Sequence, residues 1–113
     1  MSTPLYQAKA EFFKALGHPV RIRVLELLAE GERPVSELLA EIGIEAAHLS
    51  QQLAVLRRLN LVTTRREGSA VHYSLVSPQV VELLAAARRI LTEVISVQVE
   101  LLDGLRAEET SPV

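Results

Sequence analysis

Cysteine is absent from these 113 residues, which excludes disulfides, thiolate metal sites and cysteine redox switches together. No apolar run reaches the roughly eighteen residues that a membrane span needs. The amino terminus has no charged-then-apolar segment ending in a small-residue cleavage site. The expected setting is therefore cytoplasmic, with no membrane partner. Catalytic constellations are missing too: there is no Ser-His-Asp arrangement, no phosphate-cradling glycine loop, and no convergence of carboxylates beyond that of a charged surface. An enzyme is not expected, and no cofactor is called for. Repeats and low-complexity segments are also absent.

What the chain does have is apolar residues, at 49%, enough for one domain with a modest core. A core of that size invites a partner subunit. The net charge of −2 hides an uneven spread. Residues 1–44 carry five basic and six acidic groups, residues 45–77 four and two, and residues 78–113 three and six. A positive middle third in an acidic protein points toward nucleic acid, although a solvated helix face can gather two arginines by chance.

Hydrophobic spacing predicts mainly helix with a small β-hairpin. Leu5 to Leu16 has apolar residues at 5, 8, 12, 13 and 16, the period of an amphipathic helix, and "GHP" ends it. A second helix is expected from about Val20 to Glu30, followed by "ERPV" as a short extended connector. Ser36 is the expected N-cap of a short third helix closed by Gly43. A fourth helix runs to Leu59, with Asn60 where a left-handed residue would close it. Two short helices joined by a few residues with a glycine make a helix-turn-helix. From Val62 the period changes to two: "VTTRRE" and "AVHYSL" read as strands around "EGSA". Ser77 then caps a long last helix beginning at Pro78. One domain is expected over residues 1–107, with a flexible tail at 108–113.

The fourth helix has an unusual outward face. At about 100° per residue, Leu49, Leu53, Leu56 and Leu59 gather on one side. Arg57, Ser50, Ala54, Ala47, Arg58 and Gln51 span the opposite arc. Short side chains at the centre let a helix backbone come close to a surface. Gln51 can offer a bidentate amide to an adenine edge, and the arginines can reach phosphate or guanine. Gln52 points nearer the leucines and reads as structural or as a phosphate contact. An ordinary solvated helix would show similar residues, so the hairpin matters: Arg65 and Arg66 beside Gly68 add two cations on a ribbon one element later. A helix-turn-helix followed by a basic hairpin is a winged helix. Such a module can also serve protein interaction without touching DNA, a reading that salt-dependent binding of random duplex would count against.

The pieces "ALGHPVRIRVLELL", "LSQQLAVLRRLNLV" and "RREGSAVHYSL", within residues 12–75, resemble the arsenic-repressor (ArsR/SmtB) family of bacterial winged-helix regulators. With the flanking helices, the likeness extends over nearly the whole chain. It implies a homodimer built through the first and last helices, which blocks transcription at palindromic operators and lets go when a signal arrives. The departures are informative. Metal-sensing members begin the third helix with a Cys-Val-Cys-type pair, where this chain has "PVSEL"; others take Asp and His ligands from the last helix, where this chain has only Asp103. His18, His48 and His72 lie far apart in sequence on different elements, so no metal site of the usual kind is expected. Glu45 and Ala46 stand where relatives carry a Ser cap and a base-reading Gln, and Ala54 stands where a Lys is frequent. The base-edge work is expected of His48, Ser50 and Gln51.

The expected DNA-binding set is thus Ala47, His48, Ser50, Gln51, Arg57, Arg58, Arg65 and Arg66, acting on double-stranded DNA at an inverted-repeat operator. The expected dimer surface is Leu5, Phe12 and Phe13 with Leu84, Leu91, Ile95 and Leu102, because a core of this size cannot easily hide both apolar sides of the last helix. These residues specify no effector.

Overall fold

The computed structural model describes residues 3–110. It divides into two compact units, one ending at Val81 and the other beginning at Glu82. The first contains α1 (Leu5–Leu16), α2 (Pro19–Ala29), β1 (Arg33–Pro34), α3 (Val35–Ile42), α4 (Ala46–Arg58), β2 (Val62–Glu67) and β3 (Ala70–Leu75). The last helix, α5 (Gln79–Thr110), begins in the first unit and makes up the second.

Local chemistry explains most of the boundaries. The α1–α2 break is a two-residue hinge in which the His18 ring takes the cap position: its Nδ1 accepts the Val20 N–H at 3.1 Å, with Pro19 in the first turn. The end of α4 is a complete Schellman motif. Asn60 adopts φ 58, its N–H donates to the Arg57 carbonyl at 3.0 Å, and the Leu61 N–H donates to that of Leu56 at 3.1 Å. Ser77 caps α5 through its Oγ, which accepts the Gln79 N–H at 3.2 Å.

Leucines fill the core of the first unit. Val24, Leu25, Leu27 and Leu28 of α2 are buried with Leu38 of α3, Leu49, Leu53 and Leu56 of α4, and Tyr73 of β3. Most of these side chains are aliphatic and fall at helical spacing, so α2, α3 and α4 lock together through one apolar cluster.

Three features depart from the expectations. The wing is a three-stranded antiparallel sheet in the order β1-β3-β2, not a two-stranded ribbon. The "ERPV" connector supplies the extra strand, with Arg33 opposite Tyr73 and Pro34 opposite His72. A two-residue edge strand is too short to show a period, and proline is tolerated there because an edge needs fewer donors. Second, α3 starts at Val35 behind Pro34, with no side-chain cap bond, so Ser36 lies inside the first turn and is not its cap. Extended pairing of Pro34 with β3 has already set the entry angle. Third, α5 continues to Thr110, so residues 108–110 are helical where a tail was expected; residues 111–113 lie outside the described part.

Sheet register decides which wing residue faces which way. The β2–β3 pairing runs from Val62 opposite Leu75 to Glu67 opposite Ala70. Gly68 opens the two-residue loop at φ 62, a value that suits glycine in such a turn. Alternation then puts Val62, Thr64, Arg66, Val71 and Tyr73 on one face. Arg65, Glu67, His72 and Ser74 share the other.

A candidate nucleic-acid interface between α4 and the wing

The inner face of α4 is a continuous buried strip of Leu49, Gln52, Leu53 and Leu56. Its outer face, comprising Ala47, His48, Ser50, Gln51, Ala54, Arg57 and Arg58, is exposed throughout. Between that helix and the sheet lies an open cleft of about 420 Å³, lined by Ser50, Leu53, Ala54 and Arg57 of α4 and by Thr64, Arg66, Val71 and Tyr73 of the wing. Two of the expected cations, Arg57 and Arg66, therefore share a concave surface whose α4 side includes the short side chains of Ser50 and Ala54. Neither they nor Arg58 form an ion pair among the described residues. Unneutralised guanidinium groups flanking a low ridge make a surface that fits a polyanion.

Arg65 is placed differently. It stands on the sheet face away from α4, where its guanidinium pairs with Glu32 at 2.6 Å and with Glu67 at 3.2 Å. The Glu32 carboxylate also accepts the Ser74 hydroxyl at 3.1 Å. The hydrogen bond from Arg65, then that from Ser74, together with the positive charge of Arg65, hold the Glu32 carboxyl below the usual carboxylate range. The two carboxylates in turn push the Arg65 guanidinium further toward its charged form. Alternation along β2 separates Arg65 from Arg66, but sequence alone could not supply the partner Glu32, which reaches the cluster only because β1 joins the sheet.

Two other side chains acquire partners that spacing could not name, although the first of them, Gln52, was expected to be structural or a phosphate contact. Gln52 is buried, and its Oε1 accepts from Arg21 Nη1 at 2.9 Å while the Arg21 Nε donates to the Ala15 carbonyl. One arginine thus ties the end of α1 to the buried side of α4. The position of Gln52 on the leucine arc was the available signal. His48 packs edge-on against His18, with ring centroids 6.0 Å apart. Because the His18 Nδ1 accepts the Val20 amide, the neutral ring carries its proton on Nε2 and leaves no lone pair free for a metal. Among the described residues no group of three or more His, Cys, Asp or Glu converges as a metal site would require.

Comparison with known proteins bears on what this surface is for. Residues 18–64 match the model of the bacterial regulatory proteins of the arsR family. An HTH-type transcriptional regulator of Mycobacterium tuberculosis, Rv0081, of uncharacterized role, is 55% identical over 107 residues, 94% of either chain. The chain belongs to the arsR family. The crystal structure of that M. tuberculosis protein aligns at a TM-score of 0.80 with 56% identity, covering 87% of this chain and 99% of that one. The transcriptional repressor BigR of Xylella fastidiosa aligns at 0.70 with 40% identity over 75% of this chain and 87% of its own. A homodimeric winged helix-turn-helix DNA-binding domain from Mycobacterium bovis aligns at 0.72 with 32% identity over 80% and 84%.

This arsR-family chain is accordingly a DNA-binding transcriptional regulator on a winged helix-turn-helix, and not an enzyme. No helix among its described residues is long and apolar enough to cross a membrane.

Proposed function

We propose that the protein is a repressor that binds an inverted-repeat operator as a homodimer, laying α4 in the major groove and the wing along the neighbouring phosphates. The observation that carries this reading is the cleft in which unpaired Arg57 and Arg66 flank the small ridge of Ser50 and Ala54. Ala47 and Ala54 let the helix axis approach the bases; His48, Ser50 and Gln51 take the base edges; Arg57, Arg58 and Arg66 take phosphates. Arg65, turned away and held by two carboxylates, contributes to the shape of the wing and leaves its phosphate contact to Arg66.

Support for the dimer comes from apolar surface that one chain leaves open. On α1, Leu5 and Phe13 are 70% and 57% exposed, and Phe12 is half-buried. On α5, Leu91, Ile95 and Leu102 are exposed and Leu84 is half-buried. A heptad seam of Leu84, Ala87, Leu91, Val94, Gln98, Leu101 and Leu105 runs along that helix, the pattern of a surface made to meet another helix. A two-fold pair would present its recognition helices about 34–36 Å apart, one duplex turn.

Light scattering is expected to give twice the chain mass, and genomic fragments selected by the protein are expected to carry inverted rather than direct repeats. A monomer in solution would remove the palindrome from this reading. The two wing arginines give a sharper test. Arg66→Ala is expected to weaken binding to every sequence alike and to lower the salt slope by about one counterion. Arg65→Ala is expected to leave that slope unchanged. Titration of labelled duplex at several salt concentrations separates the two, and equal slopes for both variants would mean that the wing meets DNA by its other face.

A further inference from the structure

The outer face of the wing holds a four-member charged cluster that DNA contact does not use. His72 sits at its centre, with Nδ1 3.8 Å from a Glu32 oxygen and Nε2 3.6 Å from a Glu67 oxygen. Each ring nitrogen thus looks toward a carboxylate. A neutral imidazole has one N–H and can serve only one of them, whereas an imidazolium has two and can serve both. The side chain is 19% exposed, so solvent does little to replace the missing partner.

The charge surrounding His72 can be listed by element. The α2–β1 turn contributes Glu32. Strand β2 contributes Arg65 directly opposite and Glu67 diagonally. Strand β1 contributes only Pro34 on this face, since Arg33 pairs in register with Tyr73 and is engaged by Glu30 and Glu37. Two carboxylates therefore face one guanidinium, leaving the cluster at −1 with a neutral ring and at zero with a protonated one. Glu32, already held below the ordinary carboxylate range by Arg65 and Ser74, stays charged through neutral pH. Only the imidazole is of a kind that gains a proton between about pH 5 and 8.

We infer that this cluster is a proton-binding site coupled to DNA binding, in which protonation of His72 cancels the surplus negative charge beside Arg66 and so tightens the hold of the wing on phosphate. Glu67 ends β2 next to Arg66, and because Arg65 is shared between Glu67 and Glu32, the charge it leaves unbalanced opposes the approach of the same phosphates that Arg66 attracts. Linkage makes the coupling reciprocal: DNA bound at the wing raises the affinity of His72 for its proton by the factor by which the proton raises the affinity for DNA. The inference rests on the DNA-binding reading of α4 and the wing.

The full-length chain is tested on random duplex at low ionic strength, by fluorescence anisotropy at about pH 8 and about pH 6. His48, a second imidazole, lies on the face proposed to meet the DNA, so all the proteins compared carry His48→Gln. The single variant is expected to bind about threefold tighter at the lower pH, the size of one charge removed through screened solvent. Adding His72→Gln is expected to abolish that gain. Adding Glu67→Gln in place of His72→Gln, at an exposed strand end where folding is little disturbed, is expected to bring the tighter binding already at about pH 8.

A gain that survives His72→Gln overturns the inference, as does Glu67→Gln that leaves binding at the higher pH unchanged. Imidazole NMR on the DNA-free chain separates the causes. His72 that holds its proton less tightly in Glu67→Gln supports the cluster even where duplex binding fails, and failure to bind duplex at either pH sinks the DNA reading together with the coupling. An insensitive His72 resonance sinks the cluster alone.

Discussion

Leu56→Ala is expected to destabilise the winged unit by about 2–5 kcal/mol, the range for a large buried aliphatic side chain cut back to a methyl. Leu56 is 0% exposed, and Leu49 and Leu53, on the same inner strip, are 1% and 2% exposed. Its removal leaves a cavity beneath α4 that the surrounding close-packed side chains only partly fill. Domains of this size have only about 5–15 kcal/mol in total, so the loss is a large share of it. The residue has a second part in the fold, because its carbonyl takes the Leu61 amide in the motif that ends α4 and aims the chain into β2. Urea unfolding and thermal melting both read the effect, with Tm falling by roughly 4–8 °C for each kcal/mol lost. Arg58→Ala, on the exposed face of the same helix, is expected to stay within about 0.5 kcal/mol of the parent. A Leu56→Ala protein as stable as its parent would show that the leucine strip of α4 is not what docks it.

That strip, and most of the fold, is legible in the sequence because it is written at short range. Helical periods, a proline after "GH", and Asn60 where a left-handed residue is needed all act within a few residues of themselves. They place α1 at its observed bounds and α4 to within a residue or two. The misreadings involve distance along the chain. Strand β1 exists because Arg33 and Pro34 meet Tyr73 and His72, a pairing that two residues cannot announce. Once it forms, it moves the start of α3 ahead of Ser36 and brings Glu32 beside Arg65. Arg65 and Arg66 look alike as text, yet a period of two sends them to opposite faces. His18 and His48, read as separate, come within ring contact for the same reason, since the α2 cap and the first turns of α4 meet only in the folded unit. The exposed arc of α4 needed no distant partner, so which of its residues face outward could be read directly.

The same distinction between face and edge governs the last expectation, that Gln51→Ala will lower discrimination between the operator and its single-base variants by about 1–3 kcal/mol. Gln51 lies on the exposed arc of α4 at the level of Ser50 but does not line the cleft where Arg57 and Arg66 meet. A side chain there can reach a base edge without sharing in the phosphate contacts. Its amide offers one donor and one acceptor, the pair that an adenine presents in the major groove. Alanine removes both while leaving the helix as good a former as before, so stability should hold while specificity falls. Binding to random duplex, and its salt slope, should therefore be unchanged, in contrast to the effect of Arg66→Ala. Competition titrations of a selected operator against its point variants measure the difference. Equal losses on operator and random duplex would move Gln51 from the bases to the backbone and leave Ser50 and His48 as the base-reading side chains of α4.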